Sequence, residues 1–116
     1  MTRNFGETLT LDEIDVGRDK LIVIKGGDAH IGAVSTAYFE QKTPLTIKVD
    51  TMSVPGHKEH LLTDTIARQC AEHLGQTVTV VMGIHFDNLN KSEIEDIVIL
   101  TENLVDRFLT KKNLKK

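Results

Sequence analysis

Apolar and polar residues alternate through most of the first half of the chain, then recur at helical spacing in two later stretches. Leu9 and Leu11 alternate with Thr8 and Thr10, which predicts a strand over Glu7 to Leu11. Asp15-Val16-Gly17-Arg18-Asp19 punctuates the pattern as a turn, and Lys20 to Lys25 follows as a buried strand. His30 to Phe39 predicts a third strand, whose small residues Gly32, Ala33 and Ser35 leave room for a close approach. After a loop at Gln41-Lys42-Thr43-Pro44, Leu45, Ile47 and Val49 alternate with Thr46, Lys48 and Asp50, as in a strand with one covered face.

The period then changes. Pro55-Gly56 opens a helix over His57 to Leu74, where Leu62, Ile66, Cys70 and His73 or Leu74 share a face and Gly75 supplies the stop. Thr77 to Ile84 is the most apolar strand, which places it centrally, with both faces covered or nearly so. Asn90 and Glu93 have the spacing of an N-terminal capping pair. The stripe Ile94, Ile97, Val98, Leu104, Val105 and Phe108 carries a last helix to about Leu109.

The order ββββαβα predicts an α+β fold: a five-stranded mixed, mostly antiparallel sheet with two helices packed on it. Four strands would form a meander, and a crossover helix would return the fifth strand parallel to the fourth. The second and fourth strands would then end, and the third begin, at the edge where the fifth ends.

The chain of 116 residues is expected to be a single domain, 1–116, with an ordered core over about 7–109 and a basic tail over 110–116. Cys70 is the single cysteine, which excludes an internal disulfide framework; it falls on the core face of the first helix, where a thiol is packing. The first residues lack the apolar stretch of a secretory signal, and the apolar runs are too short to span a bilayer. The expected location is the cytoplasm. Fourteen basic against 17 acidic residues give a net charge of -3, which argues against a nucleic-acid partner. For a small cytosolic domain, a homodimer is the expected assembly.

Three glycine-histidine clusters carry the candidate chemistry: 26–32, 55–59 and 83–88. Gly26-Gly27-Asp28 is either a hairpin turn or an anion nest of backbone N–H groups, with His30 and Gly32 just beyond. Gly56, His57, Lys58 and Glu59 stand at a helix N-terminus, where free N–H groups, the dipole and two basic side chains favour an anion such as phosphate. His85 closes the fifth strand, with Asp87 placed to fix its tautomer and Asn88 to follow. His30, His57 and His85 together offer three imidazoles for zinc, a minor alternative because no short ligand spacing joins them. No nucleophile motif surrounds Ser35 or Ser53. The residues therefore favour holding an anionic ligand over breaking bonds. A small histidine-dependent lyase or decarboxylase using His85 and His30, and a non-catalytic homodimeric interaction module, remain alternatives.

These same residues, Gly26-Gly27, His30-Ile31-Gly32-Ala33-Val34, Gly56-His57-Lys58-Glu59 and Gly83-Ile84-His85 with Asp87-Asn88, resemble the small D-type accessory proteins of gallate and hydroxyarylic acid decarboxylase systems. That family is described as prenylated-flavin chaperone-like. The resemblance implies an accessory, non-enzymatic protein that binds prenylated FMN or FMN and delivers it to the large subunit of a UbiD-type decarboxylase in aromatic acid metabolism, with a flavin prenyltransferase as a further partner. It implies cofactor contacts at the cluster residues: phosphate at Gly56, His57 and Lys58, an apolar wall from Ile31, Val34, Met82 and Ile84, and the ring edge at His30, His85 and Asn88.

Overall fold

Val78 to His85, the most apolar strand of the chain, sits in the middle of a five-stranded sheet. The computed structural model describes residues 4–55 and 60–114. A single 3-10 turn, Phe5–Glu7, precedes β1 (Thr10–Val16), β2 (Asp19–Gly27), β3 (Ala33–Lys42), β4 (Leu45–Ser53), α1 (His60–Leu74), β5 (Val78–His85) and α2 (Lys91–Leu114). The ββββαβα order and the mixed sheet with two helices follow the hydrophobic pattern. The meander does not. The strand order is β1-β2-β5-β3-β4, so β5 inserts between β2 and β3. It pairs parallel with β2 and antiparallel with β3, and runs in the direction of β4 without touching it. The physical reason is burial: Val78, Val80 and Met82 are fully inaccessible, which an edge position would not allow.

Local chemistry sets the element boundaries. Gly17, at φ +60° with Arg18 beside it, closes the β1–β2 hairpin in a two-residue loop of the type that places glycine first. Gly75, at φ +67°, ends α1 and donates its N–H to the Ala71 carbonyl at 2.9 Å. The Asn90–Glu93 box forms in both directions, with Glu93 N–H to Asn90 Oδ1 at 2.8 Å and Asn90 N–H to Glu93 Oε1 at 3.1 Å. Several boundaries differ from expectation, and β1 runs on to Val16 and β3 to Lys42, past the expected ends at Leu11 and Phe39. The segment from Glu7 begins in the 3-10 turn because the Thr8 and Leu9 N–H groups both bond the Phe5 carbonyl, so the strand starts only at Thr10. The third strand starts at Ala33, not His30. The last helix continues past Leu109 to Leu114, and Ile94 on its predicted stripe is half exposed.

Both helices pack on one face of the sheet. Ile22, Ile24, Ala37, Val80 and Met82 point toward Ile66, Cys70 and Ala71 of α1 and Ile97, Val105 and Phe108 of α2. A hydroxyl relay lies within this layer: Thr51 donates to Ser35 at 2.7 Å, and Ser35 donates to Thr63 at 2.8 Å, joining β4, β3 and α1. Among the described residues no helix covers the opposite face, so the expectation of a fifth strand with both faces covered or nearly so is corrected: Thr79 and Val81 there are only half-buried. Among the described residues, no helix is long and apolar enough to cross a membrane.

At the far end of the sheet from the glycine clusters, Lys20 is almost fully buried on the helix side, and an ammonium there needs anionic partners. It donates to Asp15 Oδ1 at 2.6 Å and to Glu13 Oε2 at 2.9 Å, and Lys112 of α2 reaches the same Glu13 oxygen at 2.8 Å. The cluster thereby ties the last turn of α2 to the β1–β2 hairpin. Burial pushes the Glu13 carboxyl up, but hydrogen bonds from Lys112 and Lys20 outweigh it and leave it below its ordinary range. The hydrogen bond from Lys20 lowers Asp15 and raises Lys20 in return. The lowered carboxylates add stability that is fully present above their unfolded titration range and is lost as pH falls through their depressed folded values. The raised lysine contributes below its ordinary value and loses its contribution only as strong alkali deprotonates the folded state. The melting temperature is expected to drop on acidification below the ordinary carboxylate range, and Glu13→Gln should flatten that acid limb in a pH series of thermal melts.

Candidate functional site

Because β5 separates β2 from β3, the chain between them must cross the C-terminal end of β5. Residues 28–32 make that crossing. Asp28 N–H donates to the His85 carbonyl at 2.9 Å, and Gly32 N–H donates to the Met82 carbonyl at 2.9 Å. Between these anchors the His30 backbone passes directly over Gly83, where a Cβ would stand 2.2 Å from the His30 carbonyl oxygen. Only glycine admits so close a passage. The Gly32 carbonyl then accepts from Val54 N–H at 2.8 Å, which draws the end of β4 to the same rim. The register agrees: Gly27 lies opposite His85, and Ala33 opposite both Met82 and Ser53. The glycine clusters 26–32 and 83–88 thus share one edge of the sheet, as the strand directions implied.

The crossing brings two imidazoles together. His30 and His85 meet edge to face, with ring centroids 5.0 Å apart and planes at 62°. A neighbour two residues away orients each ring. His30 Nδ1–H donates to the Asp28 carbonyl at 3.1 Å, because a carbonyl oxygen can only accept. His85 Nε2–H donates to Asp87 Oδ1 at 3.0 Å. In these tautomers His30 Nε2 and His85 Nδ1 carry the lone pairs. Asp87 and Asn88 are exposed, and Asn88 adopts φ 57°, a left-handed conformation that asparagine tolerates better than most residues. The pair therefore offers a ligand oriented imidazoles at an accessible rim.

The glycines of the first cluster serve internal packing. Gly26 is buried, and a Cβ there would meet Leu9 at 2.7 Å. Gly27 has φ +66°, and a Cβ would stand 2.1 Å from the His85 carbonyl. The anion-nest reading is corrected in one respect: the Asp28 N–H is committed to His85 and does not face outward. The expected apolar wall divides between the two faces. Met82 and Ile84 are buried in the helix-covered core, whereas Ile31 is exposed and Val34 half-buried. Gly56, His57, Lys58 and Glu59 lie outside the described residues, and with them the phosphate site and the three-histidine zinc alternative. Among the described residues no group of three or more metal-ligating side chains assembles. Cys70 is fully buried, and burial pushes its thiol up to about 12.

Phe86 is a supporting residue that the sequence pattern does not single out. Its ring occupies the space a Gly27 side chain would fill and packs edge to face on Phe5, with centroids 4.8 Å apart. This anchors the turn carrying Asp87 to the N-terminal 3-10 segment. The signal available in the sequence is Gly27 at the end of the second strand, whose missing side chain leaves room for the ring.

Comparison with known proteins adds three findings. Residues 3–113 match the prenylated flavin chaperone LpdD-like domain. The protein LpdD of Lactiplantibacillus plantarum is 30% identical over 96 residues, covering 82% of this chain and 70% of that protein. In fold alone, the chain is similar to a chain of a chaperone complex for yeast 20S proteasome assembly. That likeness has a TM-score of 0.55 at 10% identity, over 88% of this chain and 94% of the other.

Two outcomes test the geometry. Gly83→Ala should destabilise the fold by about 1–3 kcal/mol or more, since backbone must move to admit the methyl group, as read by denaturant unfolding. Cys70 should resist thiol reagents in the native protein and react at the rate of unfolding, as measured by labelling across a denaturant series.

Proposed function

The chain belongs to the prenylated flavin chaperone LpdD-like family, and we propose that it binds prenylated FMN, or FMN, at the histidine rim. It then hands the cofactor to the large subunit of a UbiD-type decarboxylase acting on (hydroxy)aryl acids, in the cytoplasm. A flavin prenyltransferase is the source of cofactor in this reading. The family is one of chaperones, so this chain is an accessory protein and not the enzyme.

The single observation that carries the reading is the His30–His85 pair, held 5.0 Å apart on an accessible edge. A flavin ring presents alternating N–H and carbonyl groups along one edge. With the His30 and His85 N–H groups engaged by Asp28 and Asp87, the remaining ring nitrogens can accept from a flavin N–H, and the Asn88 amide adds both a donor and an acceptor. Exposed Ile31, beside His30 in the crossing segment, offers apolar contact to the ring. The phosphate calls for cationic and N–H donors, which Gly56, His57 and Lys58 supply by composition, with Glu59 next in sequence. Asp87 holds His85 in one tautomer. The cofactor supplies the decarboxylation chemistry once it is in the large subunit; the residues here bind, orient and shield it.

Fluorescence titration with FMN and with riboflavin separates these roles. His30→Ala with His85→Ala should weaken both ligands by about tenfold or more, the range of lost hydrogen bonds. His57→Ala with Lys58→Ala should weaken FMN and spare riboflavin, which has no phosphate. Unchanged affinity in both double variants would overturn the reading.

A further inference from the structure

We propose that the helix-free face of the sheet is a homodimer interface, on which a second copy of this chain packs sheet against sheet. The face is a continuous apolar band. Val23 lies opposite Val81, Val81 opposite Val34 and Val34 opposite Met52, a row from β2 to β4; Asp12 faces Val23 on β1, and the band reaches β1 through Leu21, the next residue of β2 on this face, which lies opposite Ile14. Leu21, Val23, Val34 and Val81 alternate with buried residues, Ile14 and Met52 alternate with other helix-side positions, and all point away from the helices. Ile14 on β1 is 51% and Met52 on β4 61% exposed, so the band stands open to solvent at both outer strands.

Size and charge argue for a second copy. Five strands at about 4.8 Å spacing and about 3.3 Å per residue make a face of roughly 500–600 Å². Two such faces bury about 1,000–1,200 Å² or more, the range in which specific interfaces begin. Charged positions stand toward the outer strands, Asp12, Asp19 and Lys25 at one side and Lys48 and Asp50 at the other, while the central Thr36 and Thr79 hydroxyls bond each other at 2.8 Å. Each side carries both signs of charge, so a two-fold related copy meets no field of uniform sign. Pairing through the β1 edge is disfavoured, because Asp12, Glu13 and Asp15 of two copies would converge there. Gly83 alternates with Val81 onto this same face, so the His30 crossing borders the interface, and a dimer would place its histidine rims at the margin of the buried area.

The proposal stands apart from the flavin reading and is tested without flavin. Sedimentation of the full chain over the micromolar range should show a dimer. Val81→Lys should yield a monomer with unchanged far-UV circular dichroism. Ile14→Lys with Met52→Lys should raise the dimer dissociation constant by about tenfold or more. Ile94→Lys, at an equally exposed apolar position on α2, should leave the dimer intact. If Val81→Lys fails to fold, the Ile14/Met52 pair decides, since both side chains are more than half exposed. A monomeric wild type would overturn the proposal. So would a dimer that tolerates the sheet-face variants, or one that dissociates on Ile94→Lys.

Discussion

The passage of the His30 backbone across Gly83 is the constraint on which the histidine rim depends. It exists because β5, the strand with the most apolar surface to bury, takes the centre of the sheet and separates β2 from β3. The β2–β3 connection must then cross the end of β5, and it does so in backbone contact, stitched by the Asp28–His85 and Gly32–Met82 hydrogen bonds. A side chain at position 83 would occupy the crossing point. In a simple hairpin the turn at 26–32 would join adjacent strands, with no reason for His30 to lie on His85. Burial of one strand thus determines which two imidazoles meet.

The same topology leaves the sheet covered on one side. Both helices bury the inner residues of all five strands, and the charge cluster of Lys20, Glu13, Asp15 and Lys112 fastens α2 across the β1–β2 end. The sheet therefore has a rigid, fully packed side and an apolar side that meets solvent. The rim lies where these two sides and the strand ends converge. An exposed edge supported by a packed layer suits a site that receives and releases a ligand, since the residues at the edge are positioned by backbone hydrogen bonds and not by enclosure.

Much of this is legible in the chain itself. Alternation and helical spacing define the element types, because each element buries one face and burial leaves its period in the sequence. Gly17, Gly75 and the Asn90–Glu93 pair mark local ends by local chemistry. The shared rim follows from strand direction alone, which a crossover fixes whether or not the strands touch. The apolar wall is less legible. Met82 and Ile84 stand beside the glycine-histidine cluster in sequence, but an apolar residue in a strand does not declare which face the helices will cover.

The sequence by itself determined the elements, their directions and the gathering of two glycine-histidine clusters at one edge. Only the tertiary structure decided that β5 lies between β2 and β3, that Gly83 passes the His30 backbone, and that one face of the sheet stays open. The physical reason is range. Turns, caps and periodicity depend on residues a few positions apart, whereas strand order is settled by competition among distant segments for the central position. That competition placed His30 against His85 across 55 positions of chain.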